Sequence, residues 1–249
     1  METETRVSSR AVVKRNWAIL PSEGIPESVL PEWSATAARI LTAPAMGAAF
    51  VEYLLELAAG GGTKQGLAEG IEAFFYVLEG RAKLELAGKT HELSPGGYAY
   101  LTPGSKFAIS ASGGATRLLW LKKRYEPAKG HAPSDRVGNE RDVKGEPFME
   151  IQDLLLKKLL PDTPNYDLAV NIFTFPTGFS LPVTETHVME HGLYMLQGQG
   201  DYYLGGTWSE VKAGDFIWMG PYCPQDFIAT GPESARYIYY KNVNRDVEL

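Results

Sequence analysis

The chain has 249 residues, 44% of them apolar and 22% charged, and a formal net charge of −6. This is ordinary for a globular protein with a substantial core, and the acidic balance argues against a general nucleic-acid-binding surface. No apolar run approaches the roughly 20 residues of a membrane span; the start METETRVSSRAVVKRNW lacks the apolar stretch of a signal peptide, and a single cysteine, Cys223, excludes an internal disulfide framework. The expectation is a soluble cytoplasmic protein.

In chain order, residues 1–35 read as an N-terminal arm that covers a sheet edge. Residues 36–124 read as a first domain of short strands: AKLEL runs to a turn glycine, and GGYAYLTPG is an apolar run between glycine and proline. Pro103 closes a strand, where its missing N–H costs little. Residues 125–165 form a linker whose first part, YEPAKGHAPSDRVGNERDVKGEP, is polar and rich in turn formers. Its second part, MEIQDLLLKKLLPDTP, reads as a short amphipathic helix with Leu154, Leu155, Leu159 and Leu160 apolar and Pro161 as its stop. Residues 166–249 read as a second strand domain, with DYYL and GDFIWMGP as its clearest strands.

The two domains are copies. Shifted by 118 residues, YVLEGRAKLELAGKTHELSPGGYAYLTPGS lies over YMLQGQGDYYLGGTWSEVKAGDFIWMGPYC without a gap. Gly80 meets Gly198, Gly88 meets Gly206, Gly96 meets Gly214 and Pro103 meets Pro221; farther out, Gly113 meets Gly231 and Lys123 meets Lys241. Short strands at this spacing, in two copies, indicate two tandem all-β sandwiches or barrels.

The stretch TETHVMEHG in the second copy places Glu185, His187 and His191 just before and into a strand. In an extended segment all three share one face, because side chains alternate. On a helix Glu185 and His187 would diverge by about 200°. Gln225 in GDFIWMGPYCPQDF offers a fourth donor. A carboxylate, two imidazoles and an amide suit Mn, Fe, Ni or Zn better than Cu(I). Four protein ligands on a six-coordinate ion leave two positions open, a catalytic arrangement. In the first copy the same positions carry Leu67, Glu69, Ala73 and Phe107, so the fold does not itself require the histidines. Glu190 meets Glu72 in both copies and reads as structural.

These motifs resemble the cupin superfamily of jelly-roll barrels. The order here is Glu, His, His, Gln, a permutation of the usual His, His, Glu, His, with glutamine replacing the last histidine and Gly220 in the place of the motif's proline. The permutation, the phrase ETHVMEHGLYMLQGQGDYYL and the ending YYKNVNRDVEL resemble the (S)-ureidoglycine aminohydrolase family of bicupins. The resemblance implies two tandem jelly-roll barrels, with Mn²⁺ on Glu185, His187, His191 and Gln225 of the second only. It implies release of ammonia from (S)-ureidoglycine to give (S)-ureidoglycolate in allantoin (purine) catabolism. It further implies substrate contacts from Tyr202, Tyr237 and Lys241, catalytic roles for Glu185 and Lys241, a small-molecule substrate and a homo-oligomer, with no nucleic-acid or membrane partner. Tyr237 and Lys241 share parity on the last strand, and a lysine there would counter a carboxylate. Two other classes compete on the same scaffold: an Fe or Zn oxygenase or isomerase, and a non-catalytic bicupin that holds a small acid.

Overall fold

A computed structural model of the chain describes residues 10–247. The arm carries β1 (Val12–Val13) and β2 (Trp17–Pro21). The first barrel comprises β3 (Ser34–Thr42), β4 (Phe50–Thr63), β5 (Ile71–Glu79), β6 (Ala82–Leu86), β7 (Lys89–Leu93), β8 (Gly97–Leu101), β9 (Phe107–Ala111) and β10 (Thr116–Arg124). The connection holds β11 (Arg136–Asn139), β12 (Glu146–Phe148) and β13 (Ile151–Lys158). The second barrel follows as β14 (Leu168–Phe175), β15 (His191–Gln197), β16 (Gln199–Leu204), β17 (Thr207–Lys212), β18 (Asp215–Met219), β19 (Gln225–Ala229) and β20 (Ala235–Asn242). The sheets run β1-β2-β18-β15-β20-β14-β13-β12, β17-β16-β19, and β11-β8-β5-β10-β4-β9-β6-β7 with β3 beside β4. This is the expected all-β pair of jelly rolls.

Strands where the barrels meet are buried on both faces, which explains their unbroken apolar runs. On β5, Ala73, Phe75 and Val77 fill the first barrel, while Phe74 and Tyr76 join a cluster between the barrels. On β15, Leu193 and Met195 fill the second barrel, and Tyr194 faces the same cluster. Each barrel also takes a strand from a crossing segment. The arm's β2 pairs with β18 and covers that edge, and β11 pairs with β8. The turn glycines recur for one reason. Gly80 and Gly198 both have positive φ, and a Cβ there would meet Ala115 O at 2.3 Å or Ser234 O at 2.7 Å.

The expected helix in the linker is instead a strand hairpin. β12 and β13 pair around a two-residue turn, Met149–Glu150, with φ of 48° and 67°. Two positive φ values in a two-residue loop match the twist of a hairpin, a turn usually signalled by Asn-Gly. Leu154 and Leu156 alternate into the second barrel's core, while Leu159 and Leu160 enter the inter-barrel cluster. The open edge of β14 recruits β13, and pairing with it outweighs the segment's local preference.

The copies also slip by one residue on their last strands. On β10, Leu118 and Trp120 face the barrel interior; on β20, Tyr237 and Tyr239 do. GPESAR carries one residue more than GGATR before this strand. Val51 pairs with Lys122 in the first barrel and its counterpart Ala169 with Lys241 in the second. The structural counterpart of Lys241 is therefore Lys122, not Lys123.

Candidate metal centre

The segment before β15 joins no named strand and bends at Val188, so it is not extended throughout as the sequence suggests. Glu185 and Gln225 form an isolated antiparallel bridge, with mutual N–H···O bonds of 2.8 and 3.0 Å. Leu181 N donates to Phe227 O at 3.0 Å, so the segment runs beside β19. His187 is fixed by its carbonyl, which accepts from Tyr222 N at 2.7 Å. Tyr222 adopts φ of 60° in the tight turn after β18. His191 opens β15, and its Cα partner on β20 is Lys241.

All four predicted ligands come together. The Gln225 amide nitrogen is 3.1 Å from His187 Nε2 and 3.1 Å from His191 Nδ1. Glu185 Oε2 lies 3.8 Å from His187 Nε2. The Gln225 donor to a cation is its amide oxygen, 3.3 Å from His191 Nδ1. Atoms bound to one ion at about 2.1 Å and at right angles stand roughly 3 Å apart, so the oxygen and imidazole spacings suit a shared cation. His187 Nδ1 lies 3.1 Å from Met189 O. A carbonyl only accepts, so that nitrogen carries the proton and Nε2 presents its lone pair to the site. His191 is buried, and burial, His187 and Lys241 push its pKa down to about 3. It is neutral, the form a metal requires. Its Nε2 is buried without a hydrogen-bond partner. Among the described residues, Glu185, His187 and His191 do not alone close into a metal-binding trio; Gln225 is the group that bridges the two imidazoles.

Glu185, His191, Tyr202, Gln225, Tyr237 and Lys241 all line one cavity of about 50 Å³. It adjoins a groove of about 820 Å³ that shares Phe148, Tyr239 and Lys241 with it. Tyr202 OH donates to Gln225 Oε1 at 3.3 Å, and the Tyr237 ring lies 6.4 Å from that of Tyr202. Tyr202 thus orients the Gln225 amide, with Tyr237 beside it. Burial raises the pKa of both, so they stay protonated.

One polar cavity residue, Tyr239, is not among the sequence expectations. Tyr239 lies between Tyr237 and Lys241 on the inner face of β20, with its ring 5.5 Å from that of His191. Asn171 Nδ2 on β14 donates to its hydroxyl at 3.1 Å. With its oxygen engaged as acceptor, Tyr239 has its proton free for the cavity. The signal was present in YIYYK, whose alternate residues face one way.

Other groups are structural. Glu190 accepts from Trp218 Nε1 at 2.8 Å and from Ala49 N at 3.1 Å, tying the barrels together. Cys223 is buried in the core, and burial pushes its thiol up to about 11, which disfavours the reactive thiolate.

Known proteins bear on this geometry. The Cupin domain family matches twice, over residues 53–122 and 171–240. The (S)-ureidoglycine aminohydrolase of Escherichia coli (strain K12) is 40% identical over 99% of this chain and 96% of its own length. The Arabidopsis thaliana protein of the same name is 36% identical over 96% of this chain and 79% of its own length. The crystal structure of protein Ylba from E. coli superposes with a TM-score of 0.89 at 38% identity, covering 100% of both chains. Oxalate decarboxylase of Lactobacillus farciminis shares the fold alone, with a TM-score of 0.71 at 10% identity over 91% of this chain and 86% of its own. Two matches to the cupin domain and full-length likeness to proteins of one name lead to one conclusion: the chain belongs to the (S)-ureidoglycine aminohydrolase family of the cupin superfamily.

Proposed function

We propose that this protein hydrolyses (S)-ureidoglycine to ammonia and (S)-ureidoglycolate in purine catabolism, using Mn²⁺ held by Glu185, His187, His191 and Gln225. The observation that carries the reading is the convergence of Glu185, His191 and Gln225 with Lys241 and three tyrosines around one cavity, with His187 3.1 Å from Gln225 behind it. When bound, a divalent cation supplies positive charge that orients substrate donor atoms and stabilises negative charge during C–N cleavage.

The remaining chemistry falls to the chain. Water replaces the amine on the substrate's central carbon, so one proton must leave water and one must reach the departing nitrogen. Glu185, at the cavity wall, is the group placed to move it. Lys241, where cavity and groove meet, holds the substrate carboxylate. Tyr202, whose proton is committed to Gln225, keeps oxygen lone pairs for a ureido N–H group, and Tyr237 beside it contacts the same group. Tyr239 donates its free proton to a substrate oxygen. The family resemblance also carries a cytoplasmic, homo-oligomeric assembly.

The test is ammonia release from ureidoglycine generated in situ, with and without added Mn²⁺. Manganese-dependent release is expected; no release from metal-loaded protein overturns the reading, and oxygen consumption with bound iron moves it to an oxygenase. Glu185→Gln separates ligand from proton carrier. It should lower kcat by about 10²-fold or more with metal retained, and full turnover would remove the proton-transfer role.

A further inference from the structure

The first barrel keeps a groove at the end that corresponds to the metal centre. Its volume is about 680 Å³, within the roughly 300–1,000 Å³ of small-molecule sites. Leu67 and Phe107 stand there in the places of Glu185 and Gln225, so no metal quartet survives. Trp120 replaces Tyr239, and Trp33 packs against it at 4.9 Å between ring centroids.

The wall carries positive charge and no carboxylate. Lys123 is engaged by Glu72 and Asp167 behind the wall. Lys122, the counterpart of Lys241, makes no ion pair among the described residues. Its ammonium lies 4.2 Å from the Trp120 ring centre and 5.1 Å from that of Tyr53. Burial lowers its pKa, which marks a cation held partly out of water. Arg124 stands exposed on the same wall. A half-buried ammonium attended only by ring faces gains from an anion, because attraction strengthens as water is excluded. Trp33 and Trp120 line the groove by the parts of their rings that Phe75 and Tyr53 leave uncovered, an apolar border suited to a flat body beside that anion.

We propose that this groove is a second, metal-free ligand site for a small planar monocarboxylate. The carboxylate pairs with Lys122, and the apolar body lies against Trp33 and Trp120. The site is independent of catalysis in the second barrel, so it stands whether or not the proposed reaction does.

The probe is sodium benzoate, titrated into the full-length protein and followed by tryptophan fluorescence. Saturable binding tighter than roughly 10 mM is expected. Benzamide, the same ring without the charge, should bind at least about tenfold more weakly, and Lys122→Met should weaken benzoate by about tenfold or more. Lys241→Met should leave the titration unchanged. If Lys122→Met does not fold, Leu67→Asp introduces a repelling charge at a half-buried position and should weaken benzoate equally. A flat titration, equal binding of benzamide, or binding unaffected by both groove substitutions overturns the proposal. So does loss of binding in Lys241→Met.

Discussion

The first and second barrels share strand order, turn glycines and an inner-face lysine near the mouth, yet they differ in what surrounds that lysine. In the second, Lys241 shares a cavity with Glu185, His191, Gln225 and three tyrosine hydroxyls. In the first, Lys122 lies against Trp120 and Tyr53. Asn171 and Tyr53 are counterparts: one donates a hydrogen bond to Tyr239, the other stacks on Trp120 at 5.1 Å. The same scaffold thus holds a polar, convergent site in one copy and an aromatic groove in the other. The difference teaches that jelly-roll packing demands only apolar inner faces, so a few inward positions near the mouth are free to carry chemistry.

That contrast can be broken most severely by making the second barrel resemble the first. His191→Ala installs the residue found at Ala73. It should abolish metal uptake and reduce kcat/KM by at least about a thousandfold, checked by metal analysis beside the ammonia assay; full activity with metal bound would show that the imidazole is dispensable. Next in size, Lys241→Ala should lower kcat/KM by roughly 100-fold, mainly through KM, as a carboxylate loses its charge partner. Lys122→Ala should leave turnover unchanged, and equal loss in both would mean the lysine serves the fold. Tyr239→Phe sharpens the comparison at the Asn171 pair. Removing one hydroxyl while keeping the ring should cost about tenfold in kcat/KM, with metal content and Tm unchanged, as steady-state kinetics and thermal melting would show.

The smallest effect concerns the layer that joins the barrels. Glu52 is buried there beside a cavity of about 20 Å³, and burial pushes its carboxyl up to about 8 from an ordinary 4.5. Between those values the folded chain holds a proton that the unfolded chain releases. Stability should therefore fall as pH rises from about 4.5 to about 8 and remain reduced above. Glu52→Gln keeps the neutral shape. Its Tm should match wild type near pH 5 and exceed it above pH 8 by about 5 °C; parallel Tm curves at all pH values would refute the burial argument.

Much of this was legible in the residues. Glu185, His187 and His191 share parity and are legible as candidate donors, but in a straight strand Glu185 and His191 would stand about 20 Å apart; the bend at Val188 and the bridge to Gln225 bring them together. The repeat exposed the two barrels because turn glycines recur at fixed spacing. The linker misled for a physical reason. MEIQDLLLKKLL fits a helical period, and its Met149–Glu150 turn lacks the Asn-Gly signal of a tight hairpin, so only the open edge of β14 decides its state. The role of Tyr239 is not legible in the residues, because it depends on a bond from Asn171, 68 residues away in sequence.

The sequence by itself determined the strand alternation, the duplication and the set of side chains able to bind a cation, since each follows from local periodicity and residue chemistry. Tertiary structure alone decided which lysine corresponds to Lys241, which segments lend strands to the barrels, and how Tyr202 and Gln225 connect. One inserted residue before β20 turns the whole strand over, and with a period of two that outcome depends on which partner strands and bulges fix the register.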